Sequence, residues 1–349
     1  MVQPPKGWEG DLHFQTSKGH NIRYGYAPAE GQSRGAIIVT HGYGEDIDLY
    51  YETIKRYQRM DYDVYAMDWH GQGASGRVNP RNLKQPSTEG MRRHVDDLDV
   101  LARQVVKPHN GDKPLIMSTN SMGGHVGMIY LHDHPDVFDG AIMSTPMLDI
   151  NPLGLPRAVF KPLMRAIFNV ASHVGFKNTK TASSWEALEK TERRNSNKED
   201  KAEKPVNARR EIAKLLGRMN EDQRLSVPTF GWVYSTFATV DMIMDESYLR
   251  DINVPILIGS AEEESFVENS AHEKAAEIMP LTKNVLIKGA DHTLWQELGR
   301  TYDEWWGHVV ELIQDVESRV HEERRYEPEE WCYQCQLDKN PADEYRFRL

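Results

Sequence analysis

The chain has 349 residues, 39% of them hydrophobic, and a formal net charge of −11. A chain this long can bury about three quarters of its unfolded surface, while the acidic balance argues against nucleic acid as a partner, because phosphate contacts need concentrated Lys and Arg. No apolar run approaches the roughly 18 to 20 residues that cross a bilayer, and two cysteines, both in Cys332-Tyr-Gln-Cys335, cannot build a disulfide framework.

The opening Met1-Val-Gln-Pro-Pro-Lys-Gly-Trp8 lacks the apolar centre of a secretory signal, so a cytoplasmic location is expected. Residues 10–16 and 21–27 read as an antiparallel pair of strands. Strands are then expected at 36–40, 64–68, 115–119 and 141–144, with helices at 49–60, 91–106 and 122–132 between most of them. Such alternation predicts a mostly parallel sheet covered on both faces. Residues 151–248 are too many for a loop and largely helical in pattern, which predicts an inserted cap. Two more strands follow, at 254–260 and 284–289. The expected organisation is a core in two parts, 1–150 and 249–320, interrupted by the cap at 151–248 and followed by a charged tail at 321–349.

Leu115-Ile-Met-Ser-Thr-Asn-Ser-Met-Gly-Gly124 reads as a buried strand turning sharply into a helix, with Ser121 at the apex. This is a near match to the GxSxG turn that exposes a serine nucleophile, with Thr119 at the first glycine position. A serine hydroxyl is a weak nucleophile at neutral pH and needs a histidine base and an acid that orients it. Both follow in chain order. The strand at 254–260 runs into the acidic loop Ala261-Glu-Glu-Glu264, and the strand at 284–289 into Gly289-Ala-Asp-His292. Ser121, Glu264 and His292 are the candidate triad, with Glu262 and Glu263 as rivals for the acid. The glycine-flanked turn His41-Gly-Tyr-Gly-Glu45 offers Tyr43 N–H as an oxyanion donor, beside Met122 N–H directly after the serine.

These blocks, with Asp68-Trp-His-Gly-Gln-Gly-Ala-Ser-Gly76 and Pro228-Thr-Phe-Gly-Trp232, resemble those of bacterial lysophospholipases and monoacylglycerol lipases, in the serine aminopeptidase-like branch of the α/β-hydrolase superfamily. The resemblance spans about residues 8–321. It implies an α/β-hydrolase fold: a mostly parallel eight-stranded sheet flanked by helices, with an inserted mainly helical cap. It implies a Ser-His-Glu triad that cleaves carboxylic esters of lipid-like substrates through an acyl-enzyme, with no cofactor. Asn120, Phe230 and Trp232 are the candidate substrate contacts. The chain departs from the family at Thr119 and Asn120, where relatives commonly carry Gly and His, and at Glu264, where many carry Asp. A peptidase or amide hydrolase of the same fold and a non-catalytic binding protein are the alternative functions.

Other motifs carry blander readings. Gly71-Gln-Gly-Ala-Ser-Gly76 satisfies GxGxxG, but Pro80 and Pro86 follow where a dinucleotide site needs a helix. His132 and His134 read as the end of the helix after Ser121, and one CxxC lacks the second pair that a zinc site requires, so no metal is expected. Phe160, Leu163, Met164, Ile167, Phe168 and Ala171 form one apolar stripe, a packing face or the lining of an acyl-chain tunnel. Residues 190–210 mix Lys, Arg, Glu and Asp and read as a solvated loop, with loose attachment to anionic headgroups at the inner membrane face as the sharper reading. No obligate protein partner is expected.

Overall fold

A computed structural model describes residues 3–79, 81–86, 90–151 and 228–326, together with scattered positions between 162 and 225. Its centre is an eight-stranded sheet in the order β1-β2-β4-β3-β5-β6-β7-β8. The strands are β1 (Glu9–Gln15), β2 (Asn21–Ala27), β3 (Gly35–Thr40), β4 (Tyr62–Met67), β5 (Leu115–Asn120), β6 (Gly140–Ser144), β7 (Ile256–Glu263) and β8 (Thr282–Asp291). The pairs β1–β2 and β2–β4 are antiparallel, and every other neighbouring pair is parallel. This is the expected eight-stranded, mostly parallel sheet, with strand ends shifted by up to three residues.

The inner strands are short apolar runs because both of their faces are covered. Alternation of side chains about the pleat sends Ile38, Met117, Met143 and Ile258 to one face and Ile37, Ile116, Ile142 and Leu257 to the other. Helices α2 (Met91–Val100), α4 (Met122–Asp133), α5 (Phe230–Ile243) and α7 (Asn269–Ile278) contribute to the first layer. Helices α1 (Tyr51–Gln58) and α8 (Gly299–Tyr326) close the second, through Ile54, Tyr57, Trp305, Trp306, Val309 and Val316. A π-helical turn at Leu101–Val106 joins α2 to the short α3 (Lys107–Asn110), and α6 (Glu246–Arg250) leads back to β7.

Two helices cross positions at which the sequence reading divides the chain. Helix α8 runs to Tyr326, past position 321, because the Glu- and Arg-rich residues 322–325 are good helix formers and prolong the core-facing helix. Helix α6 likewise straddles position 248. Of the apolar stripe in the insertion, Ile167 is exposed and the other five members lie outside the described residues. The CxxC lies outside them too. Among the described residues no helix is long and apolar enough to cross a membrane.

The glycine run Gly71–Gly76 opens no helix. It wraps Asp68, whose carboxylate accepts from the Ile47 and Ala74 amides and the Arg23 guanidinium. Gly73 sits at φ +50°, where a Cβ would lie within 2.4 Å of that carboxylate. His134 is the C-cap of α4, as its place in the sequence suggests, and His132 stacks on Tyr248 at 3.6 Å.

Candidate active site

Strand β5 delivers Ser121 to the C-terminal edge of the sheet, where open α/β sheets place their ligand crevices. Thr119 and Asn120 remain regular strand residues, paired with Met143 and Ser144 of β6. The turn is therefore concentrated at Ser121, at φ 50° and ψ −112°. Tight packing behind it explains the two glycines that follow. A Cβ on Gly123 would stand 2.9 Å from His41 O, and one on Gly124 would stand 2.4 Å from the Pro146 Cβ.

Ser121 occupies the N-cap position of α4, yet its side chain makes no cap hydrogen bond. The hydroxyl instead meets His292 Nε2 at 2.9 Å. His292 Nδ1 lies 2.7 Å from Glu264 Oε2. With the ring proton on Nδ1, the imidazole donates to Glu264 and accepts from Ser121, which is the tautomer a general base requires.

Glu262 and Glu263 close β7 and Glu264 follows it, and the three differ in burial and partners. Glu264 turns inward, its side chain 3% exposed, and its second oxygen accepts from the Ser265, Phe266 and Val267 amides. Burial works to raise the Glu264 pKa, but His292 and the Phe266 and Val267 amides outweigh it and hold the carboxyl below its ordinary range. Glu262 is exposed and accepts from Gly289 N, and Glu263 is exposed as well. Of the three glutamates, Glu264 is the one brought to His292. The Phe266 ring stands 5.0 Å from the imidazole and is 55% exposed, an apolar wall at the mouth of the site.

Opposite lies the turn His41–Glu45. The Gly42 amide donates to Glu45 Oε2 at 2.7 Å and the Gly44 amide to Gln72 Oε1 at 2.8 Å. Two side chains thus fix the backbone on either side of Tyr43. Met122 is the first residue of α4, so its N–H is one of the helix-start amides that have no carbonyl one turn back. The helix dipole adds partial positive charge at that end.

The three expected substrate contacts separate. Trp232, near the start of α5, packs edge-on against Tyr43 with ring centroids 4.7 Å apart. Phe230 joins a satellite cluster with Phe237, Val233 and Tyr234. Asn120 is the third, and it is buried. It is 1% exposed, its amide nitrogen lies 3.3 Å from Glu45 Oε2, and it lines a cavity of about 20 Å³ behind the turn with Tyr57, Ser118 and Ser144. Strand alternation sends residue 120 inward once Ser121 is the bend.

Glu45 and Gln72 are supporting residues that motif reading leaves without a role, although both lie inside quoted blocks. Glu45 additionally accepts from the Tyr50 hydroxyl at 2.6 Å. The insertion also reaches the histidine loop: Arg210 pairs with Asp291 and Glu297, and Asn207 donates to Gln296 O.

Comparison with known proteins places this geometry in a family. Residues 31–299 match the model described as Serine aminopeptidase, S33. The chain is 26% identical over 273 residues to Lysophospholipase L2 of Escherichia coli (strain K12), covering 74% of each protein. It is 27% identical over 146 residues to the Monoglyceride lipase of Rattus norvegicus, covering 40% of this chain and 44% of that protein. Among solved structures, a thermostable carboxyl esterase from Bacillus coagulans in complex with glycerol superposes with a TM-score of 0.69 at 17% identity, covering 90% of this chain and all of the esterase. The family match runs from before β3 to the start of α8, well over half of the chain, and on that ground the chain belongs to the serine aminopeptidase S33 family of α/β-hydrolases.

Proposed function

We propose that the protein is a carboxylic ester hydrolase acting on lipid-like esters, of the lysophospholipase or monoacylglycerol lipase type, with Ser121 as nucleophile. The observation that carries this reading is the continuous relay from Glu264 to His292 to Ser121, at 2.7 Å and 2.9 Å, between side chains up to 171 residues apart. The relatives' names, lysophospholipase and monoglyceride lipase, support the ester and the lipid character of the substrate.

On this reading His292 takes the Ser121 proton as Oγ attacks the ester carbonyl, and the imidazolium that forms is stabilised by Glu264. The carbonyl oxygen becomes negative and is held by the Tyr43 and Met122 amides. Collapse of the tetrahedral intermediate breaks the ester C–O bond, and the alcohol leaves with the proton from His292. Water, deprotonated by the same imidazole, then attacks the acyl-serine, and the free acid departs. Residues 151–248 serve as a cap over this centre, a role supported by the contact of Trp232 with Tyr43. A cytoplasmic location with loose contact at the inner membrane face completes the proposal. That contact would draw on residues 190–204, since Arg209 and Arg210 are paired with Glu52, Asp291 and Glu297.

The test is a hydrolysis panel of monoacylglycerols, lysophospholipids and aminoacyl amides, with wild type and Ser121→Ala side by side. Turnover of the lipid esters is expected for wild type, with a fall of about 10⁶-fold in kcat for Ser121→Ala. Turnover confined to the amides would move the assignment to a peptidase. Ester turnover unchanged in Ser121→Ala would remove Ser121 from the chemistry.

A further inference from the structure

The turn after β6 touches both ends of the proposed relay, and no sequence motif points to it. Ser144 O accepts from Ser121 N at 3.0 Å, and Met147 N donates to Ser121 O at 2.9 Å, so the turn grips the backbone of the bend on both sides. Between them stands Thr145, fully buried, at φ 41°. A β-branched residue in the left-handed region costs on the order of 1–3 kcal/mol and persists only where its surroundings enforce it. Here they do. Thr145 N donates to Gly259 O at 2.8 Å, and Thr145 Oγ1 donates to His292 O at 2.7 Å.

The next two carbonyls are pinned as well. His272 Nε2 meets Pro146 O at 2.7 Å, and His125 Nδ1 meets Met147 O at 2.8 Å. Burial holds each imidazole neutral, with a pKa lowered to about 4, so each ring has a single N–H, and it is spent on the turn. The other nitrogens face Thr239 Oγ1 and Ser260 Oγ. A rigid turn is therefore locked to Ser121 through the main chain and reaches His292 through one hydroxyl.

We propose that Thr145 is a positioning residue: its hydroxyl fixes the main chain of His292 relative to Ser121 and so sets the 2.9 Å separation of Nε2 and Oγ. The proposal rests on the triad reading above. Strain at Thr145 fits this role, because glycine or asparagine would occupy the left-handed region at lower cost but would not place a hydroxyl under His292 O. Misplacement of a reacting group by about 1 Å can lower a rate on the order of 100-fold, so one lost tether is enough to matter.

Thr145→Val keeps the branched shape and removes the hydroxyl, whereas Thr145→Ser keeps the hydroxyl. With a short acyl ester, Thr145→Val is expected to lower kcat roughly 10- to 100-fold with KM changed less than about 2-fold. Covalent labelling of Ser121 by a fluorophosphonate should slow by a similar factor, and the acid limb of the kcat/KM pH profile should move. Thr145→Ser should restore kcat and labelling to within about 3-fold of wild type. Should Thr145→Val not fold, Thr145→Ala is held to the same two readouts. A wild-type kcat and labelling rate in the hydroxyl-free variant overturns the proposal, as does a Thr145→Ser variant as impaired as Thr145→Val. Failure of the triad reading itself is separable: it appears as absence of labelling in wild type, or as turnover that survives Ser121→Ala.

Discussion

Ser121 and Thr145 end neighbouring parallel strands, and both are driven to positive φ, at 50° and 41°. They use the strain in opposite ways. At Ser121 it swings a hydroxyl away from the helix it would otherwise cap and towards His292, on the partly exposed side. At Thr145 it turns a hydroxyl into the interior, against a main-chain carbonyl. A third residue, Asp61, has φ 63° in the turn between α1 and β4, where an aspartate is an ordinary occupant. Strain at a residue type that tolerates it reflects a turn. Strain at Ser or Thr directly after buried strands points to geometry that the surroundings enforce.

The contrast can be tested most severely on the reactive side. Glu264→Gln keeps the size of the acid but not its charge, and should lower kcat by roughly 10³- to 10⁴-fold, less than the loss from His292→Ala, because the acid orients while the histidine moves the proton. A Glu264→Gln enzyme with wild-type rates would return the role to Glu262 or Glu263.

A smaller effect probes the seam between the two strained residues. In Gly124→Ala the new Cβ would meet the Pro146 Cβ at 2.4 Å, against a ring that cannot rotate aside. Overpacking of this kind typically costs about 1–3 kcal/mol. The denaturant midpoint should fall, and kcat should fall with it as the elbow is pushed off its turn. An unchanged midpoint would mean that the seam is softer than its contacts imply.

The last expected effect is confined to acid pH. His125 and His272 titrate near 4 in the folded chain and near the ordinary 6.5 when unfolded. A depressed pKa means that the unfolded chain binds the proton first. Their contribution to stability is thus complete above pH 6.5 and is lost progressively as pH falls towards 4. His272→Gln should flatten the dependence of unfolding free energy on pH between those limits by up to about 1.4 kcal/mol per pH unit. Parallel curves for wild type and variant would show that His272 is not kept neutral.

The strands along the chain and the strand-to-helix bend at Ser121 were legible because they depend on local pattern: apolar runs, a bend residue and glycines beside it. His292 was legible for the same reason, as a histidine just past a strand. Glu264 was only partly so, since three glutamates stand in a row across the end of β7 and only the folded backbone decides which turns inward. Thr145 was illegible, because its partner is 147 residues away and a threonine after a strand has no special spelling. Glu45 and Gln72 were visible as letters but not as supports, since their partners are main-chain amides rather than recognisable side chains.

The edge-on contact of Trp232 with Tyr43 has a kinetic meaning. On the proposed mechanism, an acyl group wide enough to displace the indole presses on the same residue whose backbone would cradle the developing negative oxygen. Bulky chains should therefore be felt in the turnover number as much as in affinity, and a smaller residue at 232 should broaden the range of acids released while blunting the rate for those that already fit.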